Sequence, residues 1–296
     1  MISQGIYYPK DRWQDFYSQR KNSINLICLG SSHAYRSLNP FLMDSILGGN
    51  TFNLGSSGQS IQTAYYVLKN ALRSQNPNTV VLEVYFYAFF EYDQTKNGGY
   101  NFDYIKWSRD KVEFLIGGFD LNESITVLLF PSIRYKDRGK YLLKKMLGRA
   151  VLPPRGDYYG KGFVRNFNRV KNSSLTRRNH FDDFYFDIEK ADQKDILYLR
   201  KLKELCDTNG IRLIWVTAPI PQTTYQKLDN ISVTNTFFQE QAKELGVPYY
   251  NYLDASSLPL NDTLHFMDSN HLNWAGANIF TEQISKDIMD LDLLAQ

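Results

Sequence analysis

Cysteine is almost missing: Cys28 and Cys206 are the only thiols in 296 residues. Two cannot build a disulfide framework. Cys28 falls in a strand-like run and Cys206 in a helical one, so nothing in the sequence pairs them or fixes the redox compartment. Long apolar runs are missing too: no stretch approaches about 18 consecutive apolar residues, so no segment reads as a membrane span. Residues 1–21 are polar and aromatic without an apolar centre. No signal peptide is therefore visible, and any N-terminal anchor would have to precede this chain. There is no internal repeat and no low-complexity tract. Helix-turn-helix, zinc-finger and RNP-type signatures are absent, which argues against nucleic acid as a partner.

What is present is an ordinary globular balance, 43% apolar and 22% charged. The length suits one sizeable core with insertions better than two domains. The aromatic content stands apart, with 21 Tyr and 19 Phe. Tyr filling half-buried positions accounts for it in the plain reading; the functional alternative is a surface where flat rings stack on sugars. Charge is unevenly placed. Residues 134–178 hold fourteen Lys/Arg against Asp137 and Asp157, a net +12 that leaves −9 for the rest of the chain. Such a block is usually a solvated face. As a docking surface it would take an anionic partner, phospholipid headgroups or an acidic polysaccharide, with Lys144, Lys145 and Arg149 as candidate contacts.

Short apolar runs bounded by Gly, Asn or Pro read as buried parallel strands at 24–29, 51–54, 79–84, 212–217 and 248–252. Helical patterns alternate with them at 61–74, 193–208, 234–245 and 274–291, two of them stopping at Asn209-Gly210 and Gly246. This alternation predicts an α/β fold: a three-layer α/β/α sandwich around a mainly parallel five-stranded sheet, in a single domain over 1–296. The pattern breaks at about 90–190, a long basic insertion after the third strand. Within it, 121–130 and 141–147 suit short amphipathic helices, and no core-sized pattern is sustained.

Three separate segments carry chemistry. Gly30-Ser31-Ser32-His33 follows the first strand, where a side chain enters the crevice beyond the strand ends. A capped helix start at Ala34 would use the same residues. Asn53-Leu54-Gly55-Ser56-Ser57-Gly58 occupies the equivalent turn after the second strand; glycine there lets a backbone N–H face a developing oxyanion, although any strand–helix turn tolerates two glycines. Asp268 and His271 are three apart just before the last helix, so one turn can present the imidazole while the carboxylate orients its other nitrogen. An ordinary helix N-terminus with a surface histidine is the alternative. His180 and His265 lack such a context and are read as structural. Three such segments at strand ends, in the order Ser…Asp…His, make the parts of a serine acyl-transfer site.

These motifs resemble blocks I, II and V of the SGNH (GDSL-type) hydrolase superfamily, with Leu272, Asn273 and Gly276 following the last. More narrowly, Gly-Ser-Ser-His with Asn39-Pro40 after it resembles the bacterial cell-envelope branch, which includes the teichoic-acid D-alanylation and alginate O-acetylation proteins. The similarity covers roughly 22–90 and 190–290. It implies a flavodoxin-like SGNH fold, Ser32 as nucleophile, His271 as base with Asp268 orienting it, and the Ser32 and Gly58 N–H groups as oxyanion donors. The superfamily's third block, Gly-x-Asn-Asp after the third strand, is replaced here by Val81-Leu82-Glu83-Val84-Tyr85-Phe86-Tyr87, and counting puts Tyr87 where the oxyanion Asn would stand.

The expected activity is serine-dependent transfer of an acyl group, acetyl foremost, to a cell-surface polysaccharide, or hydrolysis of its esters, through an acyl-Ser32 intermediate. The rivals are a plain carbohydrate esterase or deacetylase, and a catalytically weak glycan-binding scaffold. The chemistry calls for no metal and no cofactor. The branch resemblance implies a polysaccharide substrate, a membrane-bound O-acyltransferase as partner, and an extracytoplasmic, membrane-associated setting in the cell envelope.

Overall fold

A computed structural model describes residues 8–86, 101–118, 157–178, 181–182, 185–187 and 193–294. Strands β1 (Leu26–Leu29), β2 (Thr51–Asn53) and β3 (Thr79–Glu83) come first along the chain. A hairpin, β4 (Asp157–Gly160) and β5 (Phe163–Arg165), separates them from β6 (Arg212–Thr217) and β7 (Tyr249–Asn251). The main sheet has the order β2-β1-β3-β6-β7 and every pairing in it is parallel. That is the flavodoxin-like order, whose topological switch point lies between β1 and β3. The expected strands stand where the apolar runs put them, trimmed by a residue or two at their ends.

Strand alternation divides the core. Ile27, Leu29, Val80, Leu82, Leu213 and Trp215 face one way, and Leu26, Cys28, Val81, Ile214 and Val216 the other. The first face is covered by α1 (Tyr8–Ser18), α4 (Ile61–Ala71), α5 (Arg109–Gly118), α7 (Gln193–Thr208) and α9 (Ile231–Leu245). Their buried residues recur at helical spacing, as in Ile61, Ala64, Val67, Leu68 and Ala71 of α4. The second face is covered by α2 (Ser32–Ser37), α3 (Pro40–Leu47) and α11 (Trp274–Leu294), the last through Ala277, Phe280, Ile284 and Ile288. The result is a three-layer α/β/α sandwich. Short helices α6 (Asn172–Leu175), α8 (Gln222–Tyr225) and α10 (Asp262–His265) lie in the connections. No described helix is long and apolar enough to cross a membrane.

Two expectations need correction. Helix α1 was not foreseen, because a polar segment hides the spacing of Trp13 and Phe16, both buried against the sheet. The region after β3 also contributes core: Phe102, Ile105, Phe114 and Leu115 join the first face, and Phe163, Val170 and Leu175 the second. Its hairpin sits on the free edge of β2, where Asn53 N–H donates to the Lys161 carbonyl at 2.8 Å. The segments 121–130 and 141–147, and Lys144, Lys145 and Arg149, lie outside the described residues.

Gly162 makes this docking possible. Its φ is +81°, and a Cβ there would overlap the Asn53 carbonyl. Gly162→Ala should therefore cost about 1–3 kcal/mol through strain at a left-handed backbone. We expect a lower melting temperature together with faster proteolysis within 157–165, measured by thermal denaturation and limited digestion. Unchanged values would mean that the hairpin is not fixed by this contact.

Candidate active site

The site begins where β1 stops. Gly30 takes φ +132°, and a Cβ on it would lie 2.7 Å from Glu83 Cβ, so only glycine lets the chain turn this close to β3. Ser31 then caps α2, its Oγ accepting from His33 N–H at 3.2 Å. Ser32 becomes the first helical residue, half-buried, with its side chain in the crevice beyond the strand ends.

The second half comes from the loop before α11. Phe266 and Leu272 form an antiparallel bridge, and Met267 N–H donates to the His271 carbonyl at 2.9 Å, which closes a tight loop carrying Asp268 and His271. Asp268 accepts from the N–H groups of Asn270 and His271 at 3.0 and 2.8 Å. Both of its oxygens also lie 3.0 Å from His271 Nδ1. A carboxylate only accepts, so Nδ1 carries the hydrogen and Nε2 presents its lone pair. That lone pair faces Ser32 Oγ at 2.7 Å. Burial opposes ionisation of Asp268, but the His271 ring and the two N–H donors outweigh it and hold the carboxyl well below its ordinary value.

The third segment is hydrogen-bonded to the nucleophile turn. Leu54 N–H donates to the Cys28 carbonyl at 2.8 Å, Ser56 N–H to the Gly30 carbonyl at 3.0 Å, and Gly30 N–H to Gln59 Oε1 at 2.9 Å. Asn53 accepts from Gly55 N–H and donates to the carbonyls of Ala34 and Leu38 at 2.9 and 3.0 Å, which locks this loop to α2. Gly58 follows at φ +56°. Among the described residues the N–H groups of Ser32 and Gly58 make no hydrogen bond.

Ser32, His271 and Asp268 are thus brought together, with Gly58 on the adjoining loop. Tyr87 lies outside the described residues. Among the described residues no cluster of His, Cys, Asp or Glu is placed to hold a metal. His265 accepts from Asn261 N–H at 2.8 Å and is part of the α10 turn.

Several residues at the site escaped the sequence reading. Buried Arg12, from α1, donates to the Gly55 carbonyl and, at 2.6 Å, to Asn101 Oδ1; Asn101 in turn donates to Ser56 Oγ at 2.8 Å. Burial lowers the Arg12 guanidinium to about 10, which leaves it charged at neutral pH. Glu83 and His33 are fully buried beside the nucleophile turn. Only His33 had any local signal, its place right after Ser32.

The sequence matches no family model and no curated protein. Among solved structures it is similar to a Bacteroides fragilis protein provisionally assigned as an acylhydrolase, at 11% identity over 98% of this chain and 99% of that one, with a TM-score of 0.47. It is also similar to a GDSL-like lipase from Bacteroides thetaiotaomicron, at 11% identity over 97% and 100% of the two chains, TM-score 0.45. The acetyl xylan esterase AlAXEase gives 11% identity over 90% and 100%, TM-score 0.44.

The Asp268–His271 contact yields a direct test. Asn at 268 would offer an N–H to Nδ1 and turn the imidazole to the wrong tautomer, a change worth about 10⁴ in rate at comparable serine sites. Asp268→Asn should slow fluorophosphonate labelling of Ser32 by about that factor, read by mass spectrometry of the modified peptide. Equal labelling rates would show that Asp268 does not set the imidazole.

Proposed function

We propose that this chain performs serine-dependent acyl-ester chemistry on a carbohydrate. The observation that carries the reading is the 2.7 Å approach of Ser32 Oγ to His271 Nε2, with Asp268 on the opposite ring nitrogen. His271 takes the hydroxyl proton as Ser32 Oγ bonds to the acyl carbon. The tetrahedral oxyanion meets the Ser32 and Gly58 N–H groups. As the bond to the leaving oxygen breaks, His271 returns the proton to it and an acyl-Ser32 ester remains. An incoming hydroxyl then gives its proton to His271 and attacks the acyl carbon, and Ser32 leaves with that proton. Water makes the enzyme an esterase; a sugar hydroxyl makes it an O-acyltransferase.

Motifs and strand order both fit the SGNH superfamily, which supports a small acyl group such as acetyl. The envelope-branch resemblance of Gly30-Ser31-Ser32-His33 supports a polysaccharide acceptor, a membrane-bound O-acyltransferase as acyl source, and an extracytoplasmic location. The oxyanion site has two backbone donors, and a missing third donor typically costs about 100- to 1,000-fold. Slow turnover of simple esters is therefore expected unless a group outside the described residues, such as Tyr87, completes it.

A sugar substrate has support near the α11 end of the site. Tyr159 and Phe167 of the hairpin region, 41% and 61% exposed, both contact the Trp274 ring, at 5.3 and 5.9 Å between centroids. Arg165 lies over the Tyr159 and Phe167 rings at 4.4 and 5.4 Å. Partly exposed aromatic rings beside a guanidinium suit the flat faces and substituents of sugars.

Ser32→Ala should abolish covalent labelling and acyl-enzyme formation while changing stability by less than about 0.5 kcal/mol, since a half-buried turn hydroxyl contributes little packing. Intact-mass analysis after incubation with an activated acetyl ester checks it. Equal acylation of the variant would locate the nucleophile elsewhere.

Phe167→Ala separates the substrate from the chemistry. KM for an acetylated oligosaccharide should rise by roughly 10-fold, the scale of about one lost stacking contact, with a small neutral ester unaffected. Equal effects on both substrates would remove the rings from sugar recognition.

A further inference from the structure

The triad leaves three buried polar groups beside it without a role: Glu83, Ser31 and His33. Glu83 is the last residue of β3, and its Oε2 lies 3.2 Å from Ser31 N and 2.9 Å from Ser31 Oγ. Ser31 Oγ is 3.3 Å from His33 Nδ1. On its far side, His33 Nε2 meets the Asn270 carbonyl at 2.8 Å, one residue before His271. The His33 ring also lies 4.7 Å from the His271 ring at an interplanar angle of 21°, and 3.9 Å from Tyr85.

We propose that Glu83, Ser31 and His33 form a positioning chain that fixes the His271 imidazole against Ser32. The inference rests on Ser32 being the nucleophile. Asp268 alone fixes rotation of the His271 ring within its plane. His33 adds the missing constraint, holding the Asn270 peptide and lying nearly parallel to the His271 ring. All three are buried, at 1% exposure or less.

The hydrogens of the chain can be assigned from the partners. A carbonyl only accepts, so His33 Nε2 carries the ring hydrogen and Nδ1 is bare when the ring is neutral. Burial, then the His271 ring, holds His33 well below its ordinary value, so it is neutral. Bare Nδ1 requires a donor, and Ser31 Oγ is the described group in reach. Ser31 has a single hydroxyl hydrogen. Directed to Nδ1, it leaves Oγ facing Glu83 Oε2, a contact satisfied only if Glu83 itself carries a proton. The neutral acid therefore completes an unbroken series: Glu83 to Ser31, Ser31 to His33, His33 to Asn270. An ionised Glu83 would draw the Ser31 hydrogen to itself and leave Nδ1 without a donor.

The surroundings favour the neutral form. The titratable groups facing Glu83 are neutral His33 beyond Ser31 and the Tyr249 phenol of β7, which is held by Thr217 of β6 at 2.8 Å. No described cation pairs with it, and its Oε1 has no hydrogen-bond partner. Burial raises the carboxyl to about 8, against the lowering effect of its contacts with Ser31 N–H and Oγ. Protons are therefore held by the folded form from about pH 4.5, the ordinary value, up to about pH 8. Stability falls as pH rises through that window, where the unfolded chain binds fewer protons than the folded one.

The test uses the full chain and fluorophosphonate labelling of Ser32 from pH 5 to 9.5, resolved into kinact and KI. Ser31→Ala and His33→Phe should lower kinact by roughly 10- to 100-fold with KI within about twofold, because proton transfer loses orientation while the ligand site is untouched. Glu83→Ala should behave likewise, and Glu83→Gln, whose amide N–H₂ replaces the acid O–H, should restore most of kinact. Wild-type kinact should decline as pH rises through about 8, and Glu83→Gln should lack that decline. Its melting temperature relative to wild type should also climb from pH 5 to 8. A Glu83→Gln variant that keeps the alkaline decline, or fails to exceed Glu83→Ala, overturns the chain. Nitrogen-15 NMR of the His33 ring provides a readout free of activity: protonated Nε2 with bare Nδ1 supports the chain, and the opposite tautomer overturns it. A wild type that never labels while His33 shows the expected tautomer overturns the nucleophile and leaves the chain standing as the fixture of the His271 loop.

Discussion

The close approach of Gly30 to Glu83 is the contact on which the rest of the site depends. It occurs at the switch point of the sheet, between β1 and β3, where a crevice opens because the chain leaves adjacent strands in opposite directions. With no side chain at Gly30, β1 turns directly into α2 against the end of β3. Ser31 can then reach the Glu83 carboxyl, and Ser32 becomes a first-turn helical residue whose N–H has no partner within the helix. The same turn offers the Cys28 and Gly30 carbonyls to the loop after β2, so the loop carrying Gly58 is located by the first strand. A bulkier residue at position 30 would therefore disturb Ser32, Ser31 and the Gly58 loop together.

Two carboxyl groups at this site have opposite charge states, and their partners explain why. Asp268 accepts from two backbone N–H groups and from the His271 imidazole, and these hold it in the ionised form. Glu83 is deeper, meets only Ser31, and faces no described cation. Burial alone would push both upward; donor number and sign of neighbouring charge separate them. The same logic holds the basic hairpin. Lys161 pairs with Asp44 and donates to Asn50 at 2.7 Å, while Arg165 lies over aromatic rings. Part of the basic stretch is thus engaged in docking the hairpin and is not a uniformly free cationic face.

The sheet was legible because each of its strands is a short apolar run bounded by residues that stop strands. The triad was legible because its members sit in sequence-local turns: a Gly-Ser-Ser at a strand end, and an Asp and a His three apart whose loop closes through neighbouring residues. What was hidden depends on distance along the chain. Arg12 and Asn101 meet the Gly55–Ser56 segment from positions far from it, and neither carries a local pattern. Glu83 is the one charged residue inside the apolar run at 79–84, and nothing local shows that it is buried at 1% exposure. The hairpin at Asp157–Arg165 was missed because its first strand, Asp-Tyr-Tyr-Gly, is exposed or half-buried throughout and has no apolar signature.

Under the proposed function, the choice between water and a sugar as acyl acceptor turns on position more than on the Ser32–His271–Asp268 arrangement, which would serve both. A hydroxyl held in reacting geometry acts at an effective concentration of up to about 10⁵–10⁸ M, far above that of bulk water. Such holding requires a surface fixed relative to His271. The hairpin has that relation: Trp274 N–H donates to the Asn166 carbonyl at 2.6 Å, Val170 N–H to the Phe266 carbonyl at 2.9 Å, and Asn273 to the Asn168 carbonyl at 3.1 Å. These bonds join the segment carrying Arg165 and Phe167 to the loop carrying the base. A sugar resting on those rings would be referenced to the same backbone that sets the imidazole, so acceptor position and proton transfer share one rigid support.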